Sequence, residues 1–160
     1  MDTWPRWEVF KQDAPGKPHQ SVGSVHAPDP ETALLAARNV FVRRPQAASL
    51  WVIPAEAILT FPGDELPDGP PGCYLIFSKT SQRRSMTFVE YRGCLEAPSP
   101  RQALKEAEQR WGTAWVWWLA PKERCVESPE GVQESWFDPA LEKTYKQQQR
   151  YGLIRPKRMP

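Results

Sequence analysis

Short alternating or apolar segments, broken by two longer stretches of helical period, divide this chain. Arg6 to Lys11 reads as a strand, and His19 to Ala27 as its hairpin partner across the Pro/Gly turn region Asp13 to Pro18. A helix follows. Asp29 is a good N-cap, and Pro30 takes the first helical position, where its missing N–H costs nothing. Ala33, Leu34, Ala37, Val40 and Phe41 form one apolar stripe at helical spacing, and Pro45 bounds the helix. Ser49 to Ile53 reads as a third strand, stopped by Pro54.

The same pattern recurs further along. Val22 to Leu34 is answered by Arg92 to Leu104, with Gly93, Ala97, Pro98, Pro100, Ala103 and Leu104 in the places of Gly23, Ala27, Pro28, Pro30, Ala33 and Leu34. Upstream, Trp7-Glu-Val-Phe10 answers to Tyr74-Leu-Ile-Phe77; downstream, Leu50 to Glu56 answers to Trp117 to Glu123. The offset is 67 at both ends and 70 in the middle, so the length changes fall in loops around a fixed framework. The second helix starts at Ser99-Pro100, with Gln102 placed for a capping box. Its stripe is Ala103, Leu104, Ala107 and Trp111, with Glu106 and Arg110 on the other face and Gly112 at its end. Gly23 and Gly93 sit inside strands, where glycine marks a bulge or a close neighbour.

These elements predict an α+β fold: two tandem strand–strand–helix–strand repeats forming antiparallel sheet, with one helix per repeat covering one face. The predicted organisation is a first repeat over 1–60, a Pro/Gly linker over 61–72, a second repeat over 73–127 and a C-terminal basic tail over 128–160. One repeat alone has a thin core, so the pair is expected to act as a pseudo-dimer in one chain, open to further homodimerisation.

Charge and cysteine content add little to the fold but narrow the chemistry. From Leu141 onward stand six basic residues and one acid, against fifteen basic and eighteen acidic residues before it. A basic tail on a mildly acidic body suits an arm that docks on something acidic, or a solvated end. Nucleic-acid binding is disfavoured by the acidic body. No apolar run approaches the ~20 residues of a membrane span, and a cytoplasmic location is expected. Cys73, Cys94 and Cys125 are odd in number and widely spaced, so the reading is buried free thiols. Phosphate-loop, dinucleotide and serine-hydrolase motifs are absent, and the two histidines, His19 and His26, lie in no metal-ligand spacing. Catalytic, cofactor-binding and metal residues are therefore expected to number none. His26 reads as a structural residue, because Glu96 takes its place in the second repeat.

Trp115-Val-Trp-Trp118 carries two readings. Strand alternation sends Trp115 and Trp117 one way and Trp118 the other. Inward residues are core, and an exposed tryptophan is an interface anchor.

Taken in order, several motifs resemble the phenylacetate-degradation protein B family, the B component of ring-1,2-phenylacetyl-CoA epoxidase. They are Trp4-Pro-Arg-Trp-Glu-Val-Phe10, Val22-Gly-Ser-Val-His-Ala27, Ala33-Leu34, Ala37-Arg38 leading to Arg43-Arg44, Ser49-Leu-Trp-Val-Ile53, Ala55-Glu-Ala-Ile58 and Trp136-Phe-Asp-Pro-Ala140 with Lys143 and Tyr145 following. The first repeat and the tail look like an ordinary one-copy member, with the second repeat inserted between them and matching more weakly. The resemblance implies a non-catalytic structural or bridging subunit. Its partners would be a di-iron oxygenase catalytic subunit, a helical supporting subunit and a flavin/iron–sulfur reductase, in a system that epoxidises the ring of phenylacetyl-CoA. The partner interface it suggests is Trp136, Phe137, Asp138, Pro139 and Tyr145 in the tail, with Arg43 and Arg44 after the first helix. A tail packed back on its own body is the other reading of the same residues. Two further functions stand beside this one. The chain could be a cofactor-free enzyme using His26 or Tyr91 in a cleft between repeats, or an independent binding or regulatory module.

Overall fold

A computed structural model describes residues 4–42, 47–63, 65–79 and 89–129. Its elements are β1 (Arg6–Gln12), β2 (Gln20–His26), α1 (Pro30–Phe41), β3 (Ser49–Pro54), β4 (Leu59–Phe61), β5 (Gly72–Lys79), β6 (Glu90–Ala97), α2 (Pro100–Trp111), β7 (Val116–Pro121) and β8 (Val126–Glu127). Single 3-10 turns at Ala55–Ala57 and Lys122–Arg124 lead into β4 and β8. The fold is α+β: eight strands in the order β4-β7-β5-β6-β2-β1-β3-β8, every neighbour antiparallel, with two helices.

Both helices start as their caps dictate. Asp29 Oδ1 accepts the Thr32 N–H at 2.8 Å, and Ser99 Oγ accepts the Gln102 N–H at 3.2 Å. Ser99 is buried, so its hydroxyl has no water to fall back on. Ser99→Ala is expected to cost about 1 kcal/mol, read from urea unfolding; an unchanged midpoint would show that the cap bond is dispensable. Gly112, at φ +83, ends α2.

Each helix lays its stripe on the sheet. Ala33, Leu34 and Ala37 pack on Trp7, Val9, Val25, Leu50 and Val52; Ala103, Leu104 and Ala107 pack on Tyr74, Ile76, Leu95, Trp117 and Leu119. One member of the expected stripe falls outside it: Val40 is 51% exposed, at the stripe's edge in the last turn. The last helical residue of each rests on a strand glycine. A Cβ on Gly23 would lie 2.8 Å from Phe41 Cζ, and one on Gly93 2.9 Å from Trp111 Cζ2. Beside each glycine the strand register slips by one residue, between Val9 and Phe10 opposite β2 and between Ile76 and Phe77 opposite β6. These are bulges, and they bend the sheet.

The bend has a large consequence. Phe10 on β1 and Phe77 on β5 stack with centroids 4.3 Å apart, although β2 and β6 lie between their strands. Three strand spacings on a flat sheet would separate them by roughly 14 Å. The sheet therefore curls, and the face turned from the helices closes around an interior of its own. That interior holds Phe10, Trp51, Ile53, Leu75, Phe77, Val89 and Ala120. Sheet residues on both faces are thus buried, which explains the unbroken apolar runs Leu50 to Ile53 and Tyr74 to Phe77.

Two strands cross over. β4, which follows β3, pairs with β7 (Leu59↔Leu119, Phe61↔Trp117). β8, which follows β7, pairs with β3 (Trp51↔Glu127, Val52↔Val126), and Ser128 extends it by exchanging two hydrogen bonds with Leu50. The hydrophobic pattern along the chain predicts no strand at either site.

Two expectations need correction. Cys73 and Cys94 form a disulfide between β5 and β6 rather than lying as free thiols. In the ladder Cys94 pairs with Leu75, which makes the two cysteines diagonal neighbours. Cys125 alone of the three is free. The tryptophans also divide differently. Trp117 faces α2 and Trp118 the curled interior, while Trp115, 52% exposed, precedes β7 instead of sharing the face of Trp117.

Candidate functional site

Three titratable groups, His19, Tyr91 and Cys125, pack in or against the curled interior. His19, just before β2, lies with its ring stacked on Trp51 at 3.7 Å and 11°. It is 7% exposed, and its Nε2 finds no hydrogen-bond partner. Burial pushes its pKa down to about 4, so the imidazole is neutral near pH 7. His19 is not among the candidate residues that motifs and spacing single out. A signal for it exists all the same: the offset of 70 aligns it with Val89, an apolar position.

Tyr91, on β6, packs edge-on against Trp51 at 4.9 Å and tilted against Phe77 at 5.4 Å. Burial raises its pKa, with further raising from Cys125 and Glu127. Burial likewise pushes the Cys125 thiol up to about 12, with Glu127 adding and Lys122 opposing. Burial thus keeps all three in their uncharged forms, a neutral imidazole, a protonated phenol and a protonated thiol. They are packing components of an aromatic cluster.

His26 lies apart from Tyr91. It is exposed at the far end of β2, opposite Arg6, whereas Tyr91 pairs with Phe77. The two candidates for an acid–base group, His26 or Tyr91, thus stand in different surroundings.

A polar string crosses the seam between β2 and β6. Gln20 Nε2 donates to Glu90 Oε2 at 2.5 Å; Arg92 holds Glu90 at 3.6 Å and donates from Nε to Ser78 Oγ at 2.7 Å. All these groups satisfy one another, so the string fixes the register of the seam.

Two cavities at the surface of the body are lined by described residues. One, of about 440 Å³, is lined by Arg6, Glu8, Ala55, Ile58, Thr60 and Trp118. Glu8 there has its pKa raised by burial, against the lowering effect of Arg6 at 3.4 Å. The other, of about 520 Å³, is a groove along the polar flank of α2, from Ala97 to Arg110. Neither is lined by His19, His26 or Tyr91. Among the described residues no cluster of three His, Cys, Asp or Glu could hold a metal ion, and no helix is long and apolar enough to cross a membrane.

The suggested interface residues Arg43, Arg44, Trp136, Phe137, Asp138, Pro139 and Tyr145 lie outside the described residues. Within the described surface, the exposed large apolar side chains are Trp4, Leu35, Val40, Phe61 and Trp115.

The fold and its packed interior define a small α+β protein with an eight-stranded curled antiparallel sheet. Comparison with known proteins places it further. The family model for phenylacetic acid degradation B matches residues 3–68 and 72–158, and the chain belongs to that family. It is similar to the B component of 1,2-phenylacetyl-CoA epoxidase of Escherichia coli (strain K12), with 40% identity over 62 residues, 39% of this chain and 65% of that relative. The match thus spans less than two thirds of the relative's length. No solved structure matches the chain.

Proposed function

We propose that this chain is a non-catalytic subunit of a multicomponent phenylacetyl-CoA epoxidase. In this reading it organises a di-iron oxygenase catalytic subunit and its helical supporting subunit in the cytoplasm and couples them to a flavin/iron–sulfur reductase. The observation that carries the non-catalytic part is the interior. Where a small enzyme of this size would hold a pocket, Phe10, Trp51, Phe77, Tyr91 and His19 stack on one another, and their titratable members are held uncharged. Family membership and the likeness to an epoxidase component support the system.

We also read the chain as two fused copies, joined near residues 61–72 and followed by a tail from 128. Matching caps, glycine-seated aromatics and bulges at a common offset support this, as does the reciprocal pairing of β4 with β7 and β8 with β3. The tail aromatics Trp136 and Phe137, with Asp138, Pro139, Tyr145, Arg43 and Arg44, are the residues proposed to engage partners.

The test is co-expression with the oxygenase subunits, followed by size-exclusion chromatography with light scattering. A stable complex containing this chain is expected. Trp136→Ala with Phe137→Ala should weaken its capture at least about tenfold, as loss of two aromatic anchors does, while the melting curve of the isolated chain stays in place. Oxygenase subunits that assemble and turn over without this chain would overturn the proposal.

A further inference from the structure

The seam between β2 and β6 has a two-fold backbone and a one-sided set of side chains. Gln20 faces Glu90, and these two positions differ by the offset of 70 that relates the helices. The Ser21 N–H donates to the Val89 carbonyl at 3.0 Å, and the Tyr91 N–H donates to the His19 carbonyl at 2.8 Å. Exchange of the halves maps each bond onto the other, so the backbone alone would let either half pair with a second copy of itself.

The side chains forbid it. Gln20 gives Glu90 a hydrogen-bond donor at 2.5 Å. Two second halves would set Glu90 against Glu90, with no donor between them and two like charges in its place. Arg92 offsets part of the charge on Glu90, but it is already shared with Ser78. The Ser21 hydroxyl that accepts the buried Val89 N–H at 3.0 Å would also be gone, because Tyr91 stands at that position. Two first halves fail in a different way. Ser21 would replace Tyr91 against Trp51, with a second Phe10 in the place of Phe77, and leave a void, and two His19 rings would share the interior. The native seam sets the Tyr91 ring opposite the His19 imidazole and the small Ser21 opposite Val89, so each pair takes one member from each half.

We infer that the two halves, 6–61 and 72–127, are matched to each other and against themselves, so that the unlike pair is the only well-packed closed form. This rests on the two-copy reading above. Its functional content is a scaffold whose halves do not re-pair with their own kind and that keeps two unlike outward helices. α1 exposes Leu35 and Val40 where α2 carries Lys105 and Arg110. Only the unlike pair presents both.

The experiment starts from the full chain with a protease site inserted after the exposed Gly63. Cleaved under native conditions, the halves are expected to co-elute as one body. Halves that separate at this step would overturn the two-copy reading and the inference with it. The cleaved protein is then unfolded in urea, refolded, and its species counted by native mass spectrometry. More than about nine-tenths mixed pair is expected, since a penalty of one hydrogen-bonded charge per self-pair shifts the equilibrium at least tenfold. A statistical one-two-one distribution would overturn the inference while leaving the two-copy reading intact. The uncut chain gives an independent measure. Gln20→Glu should lower its melting temperature at pH 7, and Gln20→Glu with Glu90→Gln should restore it. A double variant no better than the single one would sink the matched-seam idea.

Discussion

Phe77→Ala should lower the stability of the whole chain by about 4 kcal/mol, in the range for emptying a fully buried aromatic site. Phe77 is wholly buried, and its ring contacts three others: Phe10 at 4.3 Å, Tyr91 at 5.4 Å and Trp51 at 6.4 Å. Phe10 and Trp51 belong to β1 and β3, on the far side of the β2–β6 seam. The loss is thus shared by both sides of the seam. For a chain of this size the melting midpoint should fall by roughly 10 °C, in a single transition monitored by near-UV circular dichroism. A double-mutant cycle with Phe10→Ala should return a coupling of about 1 kcal/mol, as stacked rings give. Two separate transitions, with only the second moved, would mean that the halves fold independently and that the shared interior contributes little. Phe61→Ala, at an exposed ring near the rim, is the control and should shift the midpoint by no more than about 0.5 kcal/mol.

The contrast between these two phenylalanines shows what the sequence could and could not reveal. Helix starts were legible because a cap is a local device: Asp29-Pro30 and Ser99-Pro100 announce α1 and α2 to the residue. The strand glycines were legible for the same reason, and each proved to seat the aromatic that ends its helix. The curl was not legible. It depends on two one-residue register slips and on contacts between strands that no local pattern links. β4 and β8 escaped because three and two residues carry no periodicity, and their partners stand more than fifty residues away. The Cys73–Cys94 bond escaped likewise, since diagonal adjacency follows only from the register of β5 on β6. Of the candidate site, family motifs pointed to the tail and to Arg43 and Arg44. The described residues instead show an interior packed with aromatic rings. His19 is an interior titratable residue that position-by-position alignment of the two repeats sets against the apolar Val89.

That histidine sets the second large effect, a loss of stability in mild acid. The pKa of His19 is held near 4 in the folded chain by burial, against an ordinary value of 6.5 when unfolded. Between these values the unfolded chain binds the proton and the folded chain does not, so stability rises with pH across this window. The contribution is fully present above pH 6.5 and is lost as pH falls toward 4. Its ceiling is about 3 kcal/mol, at 1.36 kcal/mol per unit of pKa difference. Glu8 works against it: burial raises its carboxyl pKa, so its folded form holds a proton that the unfolded form releases just above pH 4.5. Glu8 therefore favours the fold as pH falls, with Arg6 at 3.4 Å opposing its shift, and it is the same in the two proteins compared below. Urea midpoints measured from pH 7 to pH 4 should fall steeply in the wild-type chain. In His19→Phe, which keeps a ring to stack on Trp51 and carries no titrating nitrogen, the fall should be smaller by about 2 to 3 kcal/mol. Equal slopes in the two proteins would mean that the His19 ring reaches water at its unpartnered Nε2 and titrates near its ordinary value.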